Sequence, residues 1–110
     1  MVRSERSIMN DRPSISIIIV SYETRELVRN CLVSIRNEGE GSVEVIVVDN
    51  ASADGTVEMI VAGFPEVQGV QNATNVGFSP ANNQGIASSK APFILLLNSD
   101  TVVQKDSIVQ

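Results

Sequence analysis

A chain of 110 residues makes one ordinary domain or part of a larger one, and 43% hydrophobic against 19% charged residues can build a packed core, which excludes disorder, collagen-like repeats and coiled coils. A net charge of −5 argues against a nonspecific binder of nucleic-acid backbones. With no histidine and a single cysteine, Cys31, there is no imidazole base and no thiolate zinc cluster, so any metal must sit among oxygen ligands, which selects hard cations such as Mg2+ or Mn2+.

Residues 1–13 carry no periodic pattern and read as a flexible leader. No apolar run approaches the ~20 residues that span a bilayer and no secretory signal is evident, so a cytoplasmic location is expected. The triplets Asn50-Ala51-Ser52 and Asn72-Ala73-Thr74 then read as chance matches to the glycosylation pattern.

Ile15-Ser16-Ile17-Ile18-Ile19-Val20 is short, β-branched and nearly continuous, the pattern of a strand buried on both faces of a parallel sheet. Polar Ser21-Tyr22-Glu23-Thr24 ends it. Leu27, Val28, Cys31, Leu32 and Ile35 follow at helical spacing, with Thr24 as N-cap and Gly39 as stop. Cys31 lies on the apolar stripe and reads as core. Val43 to Val48 repeats the strand pattern and ends in Asp49-Asn50-Ala51-Ser52-Ala53-Asp54-Gly55. A second helix carries Val57, Ile60 and Val61 on one face and stops at Gly63 to Pro65, and Val67 to Asn72 is a weaker third strand. After the Asn75-Val76-Gly77-Phe78 loop, Ser79 and Pro80 open a third helix that runs to about Lys90. Phe93 to Leu97 is a fourth buried strand, ended by Asn98-Ser99-Asp100.

Strands alternating with helices imply right-handed crossovers and an α/β parallel sheet of Rossmann-like order, βαβαβαβ. Every strand then points its C-terminal end at one edge, where open parallel sheets bind ligands. Ser21-Tyr22-Glu23, Asp49-Asn50 and Asn98-Ser99-Asp100 converge there, joined by Asn72 and Asn75.

Neither a Walker loop nor a dinucleotide fingerprint is present: Gly39-Glu40-Gly41 follows a helix and precedes a strand, the reverse of the order required. The edge offers the carboxylates Asp49 and Asp100 with amides and hydroxyls instead. Mg2+ or Mn2+ takes one or two protein carboxylates and completes its shell with phosphates and water, so a metal-bridged nucleoside diphosphate suits such a site. Blander readings stand beside this one. Asp54 reads first as a turn or cap residue, Asp49-Asn50 could be a turn alone, Gly77 supplies an unusual backbone angle, and Phe78 reads as core.

Ser16 to Tyr22, Glu44 to Thr56, Asn75 to Phe78 with Asn82-Asn83-Gln84-Gly85, and Phe93 to Asp100 together resemble family 2 glycosyltransferases over about residues 14–105. The Asn-x-Gly-Phe block is similar to the rhamnosyltransferase-like branch that acts on bacterial surface polysaccharides. The resemblance implies a GT-A fold whose N-terminal half binds a nucleotide-sugar donor, here a UDP- or dTDP-sugar, for transfer to a saccharide acceptor hydroxyl. It implies that Ser21, Tyr22 and Glu23 line the nucleoside pocket, that Asp49 bonds the base, that Asn75, Gly77 and Asn82 lie along the ribose and diphosphate, and that Asn98-Ser99-Asp100 holds the Asp-x-Asp position with Asp100 on the metal. Asn98 replaces the first acid of that motif, and Glu23 stands where an asparagine is frequent. In similar proteins the base and acceptor site lie further along, so residues 14–110 are expected to be the donor half of a truncated domain, with no catalytic base of its own. The longer enzyme would sit peripherally at the inner membrane face, and the surfaces exposed here would favour self-association. A receiver-like signalling module and a noncatalytic nucleotide-binding module are the alternatives.

Overall fold

The computed structural model describes residues 13–38 and 42–100; residues 1–12 of the leader, the Gly39 stop and the last ten residues lie outside them. The chain runs β1 (Ile15–Ser21), α1 (Arg25–Glu38), β2 (Val43–Asp49), α2 (Thr56–Gly63), β3 (Gln68–Gln71), α3 (Phe78–Ser88) and β4 (Phe93–Asn98). All pairings are parallel, in the order β3-β2-β1-β4. The chain builds outward from β1 to β3, then crosses back to lay β4 on the free side of β1, so strand order reverses between β1 and β4.

Strand periodicity divides the apolar residues between the two sheet faces. Ile17, Ile19, Val45 and Val47 pack with Val28, Cys31, Leu32 and Ile35 of α1 and with Ile60 and Phe64 at α2. Ile18, Ile46 and Val48 face the other way, onto Ala81 of α3. Ile17, Ile18 and Ile19 are fully buried, each contributing about 1.5–3 kcal/mol of apolar burial. Cys31 is fully buried as expected, and that burial, with the Asp100 charge adding to it, pushes its thiol up to about 11.

Ser16, fully buried in a run of isoleucines, donates to Glu44 Oε1 at 2.6 Å and accepts from the Ala91 amide at 3.2 Å, while Lys90 N donates to Glu44 Oε1 at 3.0 Å. This polar knot fastens the α3–β4 connection to the N-terminal sheet edge.

Several boundaries differ from expectation. α3 starts at Phe78 with Gly77 as its N-cap, which places Pro80 at the third helical position, where a missing N–H costs no intrahelical bond. It ends at Ser88, short of Lys90. β4 is not buried: Phe93, Ile94, Leu95 and Leu96 are 37–69% exposed, because β4 is the terminal strand among the described residues. Leu27 and Val61, both expected on buried stripes, are 43% and 71% exposed. No helix among the described residues is long and apolar enough to cross a membrane.

Candidate functional site

Register pairs Ser21 with Asp49 and Val20 with Asn98, so three strand ends meet at one edge as expected. The same register sends them to opposite faces, since side chains alternate along each strand. Asn50 and Asn98, with Tyr22, Asn75, Gly77 and Asp100, line a crevice of about 510 Å3 where the strand order reverses. Val20, Thr24, Leu27, Phe78 and Ser99 complete its walls. Phe78, read from the sequence as core, is 59% exposed there, because Gly77 turns the chain at φ 95° and starts α3 with Phe78 on its open side.

Ser21 and Asp49 continue the face of Ile19 and Val47 and lie behind the crevice. Asp49 is 2% exposed; its Oδ1 accepts from Ser21 Oγ at 2.7 Å and from Ser52 Oγ at 2.7 Å, and its Oδ2 accepts from Ser52 N at 2.9 Å. A carboxylate has about four acceptor sites, so capacity remains on Oδ2. Asp49 borders a second, apolar cavity of about 390 Å3 between α2 and β3, walled by Ile60, Phe64, Val67 and Val70.

Glu23 lines neither cavity. It stands at φ 56°, a left-handed angle that asparagine adopts with less strain than glutamate. Its amide donates to Ser52 Oγ at 2.8 Å, and its carboxylate accepts from the Ala53 amide at 2.6 Å, clasping the β1–α1 loop to the β2–α2 loop. Asn82 is 6% exposed within α3 and does not line the crevice. Of the expected contacts, Tyr22, Asn75, Gly77, Asn98 and Asp100 therefore share one cavity, whereas Ser21, Glu23, Asp49 and Asn82 support it or border another. The sequence places Asn50 at this edge but gives it no role in the site. Asn50 is 2% exposed, donates through Nδ2 to Gly77 O at 3.2 Å, and so ties the end of β2 to the loop that closes the crevice.

The family described as Glycosyl transferase family 2 matches residues 16–109. The chain belongs to that family. Among curated relatives it is 28% identical over 99 residues to the putative glycosyltransferase EpsH of Bacillus subtilis, covering 87% of this chain and 28% of that protein. To the succinoglycan biosynthesis protein ExoO of Rhizobium meliloti it is 29% identical over 97 residues, again covering 87% of this chain and 28% of the relative. The chain thus spans under a third of the length of these relatives. The fold matches S. aureus TarS in complex with UDP-GlcNAc at a TM-score of 0.73 and 24% identity, over 79% of this chain and 26% of that one. It matches mannosyltransferase PcManGT from Pyrobaculum calidifontis, in complex with GDP-Man and Mn2+, at a TM-score of 0.71 and 23% identity, over 90% of this chain and 33% of that one. The parallel sheet with helices on both faces is the GT-A arrangement that the glycosyltransferase motifs imply.

Among the described residues no group of three or more His, Cys, Asp or Glu side chains comes together. The crevice instead has one exposed carboxylate, Asp100, beside the Asn98 amide and the Ser99 hydroxyl. This set fits a hard cation that takes few protein oxygens and completes its shell with phosphate and water.

Proposed function

We propose that this chain carries the donor site of a glycosyltransferase that moves a sugar from a nucleoside-diphospho-sugar, a UDP- or dTDP-sugar, to an acceptor hydroxyl in cell-surface polysaccharide synthesis. The observation that carries the reading is the crevice itself. It lies where strand order reverses and combines an aromatic ring, a glycine turn, several amides and one accessible carboxylate. The family match and the nucleotide-sugar complexes of the structural neighbours support it, and the surface-polysaccharide role draws support from ExoO, named for succinoglycan biosynthesis. The Asn75-Val76-Gly77-Phe78 block supports the rhamnosyltransferase-like branch.

In this reading Tyr22, half exposed on the crevice wall, stacks on the base, while Asp49, buried behind the crevice, braces the strand ends through Ser21 and Ser52. Gly77 leaves room for the diphosphate to approach the backbone, with Asn75 and Asn98 beside it. Asp100 holds Mg2+ or Mn2+. When bound, the cation supplies positive charge to the leaving diphosphate. Ser21 and Ser52 fix the Asp49 carboxylate, and Glu23 fixes the loop that carries Tyr22, so these residues orient rather than react. The chain has no histidine, and the base that takes the acceptor's proton is not among the residues assigned here.

Calorimetry of UDP and dTDP with and without Mn2+ tests the proposal. We expect metal-dependent binding, with Asp100→Ala weakening it about tenfold or more in Mn2+, the scale of one lost charge-assisted contact. Metal-independent binding, or equal affinity in Asp100→Ala, would sink it.

A further inference from the structure

Five hydrogen bonds link three side-chain amides to the loop that closes the crevice. Asn50 Nδ2 donates to Gly77 O at 3.2 Å, and Asn50 Oδ1 accepts from Val76 N at 3.3 Å and from Asn72 Nδ2 at 2.9 Å. Asn72 Nδ2 also donates to Gln84 Oε1 at 2.8 Å, and Gln84 Nε2 returns a bond to Asn72 Oδ1 at 2.9 Å. Asn50 follows β2, Asn72 follows β3 and Gln84 lies on α3, so the network joins three elements that the sequence holds far apart. Asn50 borders the crevice, whereas Asn72 and Gln84 do not.

The backbone dictates the orientation of every amide. The Val76 amide needs an acceptor, and Gly77 O, which already takes the Ala81 amide at 3.3 Å, has a second lone pair to offer a donor, so Asn50 must turn its oxygen to Val76 and its nitrogen to Gly77. That oxygen then requires a donor from Asn72, which must point its own oxygen at Gln84 Nε2. A flip at any one position sets oxygen against oxygen or N–H against N–H along the chain. All three side chains are uncharged, so the network adds no negative charge behind a site proposed to hold a diphosphate.

We infer that Asn72 and Gln84 are positioning residues that, acting through Asn50, hold the 75–77 loop in the shape that receives the donor diphosphate. The inference rests on the donor-site reading above. It is distinct from space filling, because amide chemistry rather than volume is what the network requires. Asn72→Asp is nearly isosteric yet removes the donor that Asn50 Oδ1 needs. Asn50 must then face a carboxylate with its carbonyl or flip and abandon both backbone contacts.

Two readouts test this on the 110-residue chain: the affinity for UDP with Mn2+ by calorimetry, and hydrogen exchange of the Val76 amide. Asn72→Asp is expected to weaken UDP binding about tenfold and to speed Val76 exchange by a similar factor, the scale of one or two lost hydrogen bonds. Gln84→Ala, one link further from the loop, should give smaller losses of the same sign. Ile60→Val, a core change on the opposite sheet face, should lower the melting temperature without altering UDP affinity. If Asn72→Asp fails to fold by circular dichroism, Gln84→Glu carries the test, because it keeps one acceptor for Asn72 while presenting an oxygen to Asn72 Oδ1. UDP affinity within twofold of the unsubstituted chain in the folded variants, or unchanged Val76 exchange, overturns the inference alone. No UDP binding by the unsubstituted chain overturns the donor-site reading and this inference with it.

Discussion

Asp54 accepts hydrogen bonds at two helix starts. Its Oδ1 takes the Thr56 amide at 3.2 Å and the Thr56 hydroxyl, and its Oδ2 takes the Arg25 amide at 3.0 Å at the head of α1. The Thr56 hydroxyl, then the Arg25 and Thr56 amides, hold its carboxyl below the ordinary 3.8. The folded chain therefore binds fewer protons than the unfolded chain as pH falls through the carboxylate range. Stability from Asp54 is complete above its ordinary value and is lost as pH falls through the lowered folded value. Asp54→Ala should cost about 1–2 kcal/mol near pH 7, the scale of one to two helix caps, in urea unfolding. The gap to the unsubstituted chain should narrow at the acid end of the series, and a gap independent of pH refutes the assignment. The bland sequence reading of Asp54 as a turn or cap residue fits its bonds to Thr56, although Gly55 holds the N-cap position of α2, and it was incomplete, because the other oxygen reaches α1 across 29 residues. Thr24 shows the converse. Its position suggested the N-cap of α1, yet its buried Oγ1 has no hydrogen-bond partner among the described residues. Local grammar names a residue able to cap but cannot see a better acceptor arriving from another loop.

At the scale of elements, α3 approaches the sheet through its smallest residues. A Cβ on Gly85 would collide with Ile18 Cγ2 and meet Ile18 Cδ1 at 3.2 Å, whereas a Cβ on Gly63, at the end of α2, would meet nothing within 4 Å. In a helix, alanine is favoured over glycine by up to about 1 kcal/mol. Overpacking a core costs about 1–3 kcal/mol, so at Gly85 the collision outweighs the propensity gain. Gly85→Ala should lower stability while Gly63→Ala raises it slightly, and thermal melts of the pair read the opposite signs. Equal shifts would mean that the close approach of α3 does not matter. Element order and strand direction were legible in the sequence because β-branched runs alternate with helical spacing and short polar ends. The division of the strand ends between two cavities was not. Ser21, Asp49 and Asn98 were grouped by their place after strands, but a one-residue offset in the pleat puts Asn98 in the crevice and the Ser21–Asp49 pair behind it. Similarly, Phe93 to Leu96 was read as buried from apolarity alone, which cannot tell a central strand from a terminal one.

Across the whole molecule, cover is uneven. α1 and α2 shield one face around β1 and β2, α3 alone shields the other, and β4 is exposed on both. Its outer edge is unpaired among the described residues, and Phe93 to Asn98 contains no charge and no proline to discourage another strand. Ile94 and Leu96 share the α3 face by register with Ser16 and Ile18, and they are 41% and 48% exposed. Such an edge is a template for pairing with a second copy, and apolar side chains on both faces add a hydrophobic drive. The net charge of −5 opposes association only weakly at physiological salt, because screening confines it to about 8 Å. The 110-residue chain should therefore show an apparent mass that rises with concentration in sedimentation velocity. Replacing Ile94 and Leu96 by lysine together should return it to monomer without unfolding it, since both side chains are already partly in water. A monomer at every concentration would show that the β4 edge is protected, and dimers that persist in the double-lysine variant would move the contact to another surface.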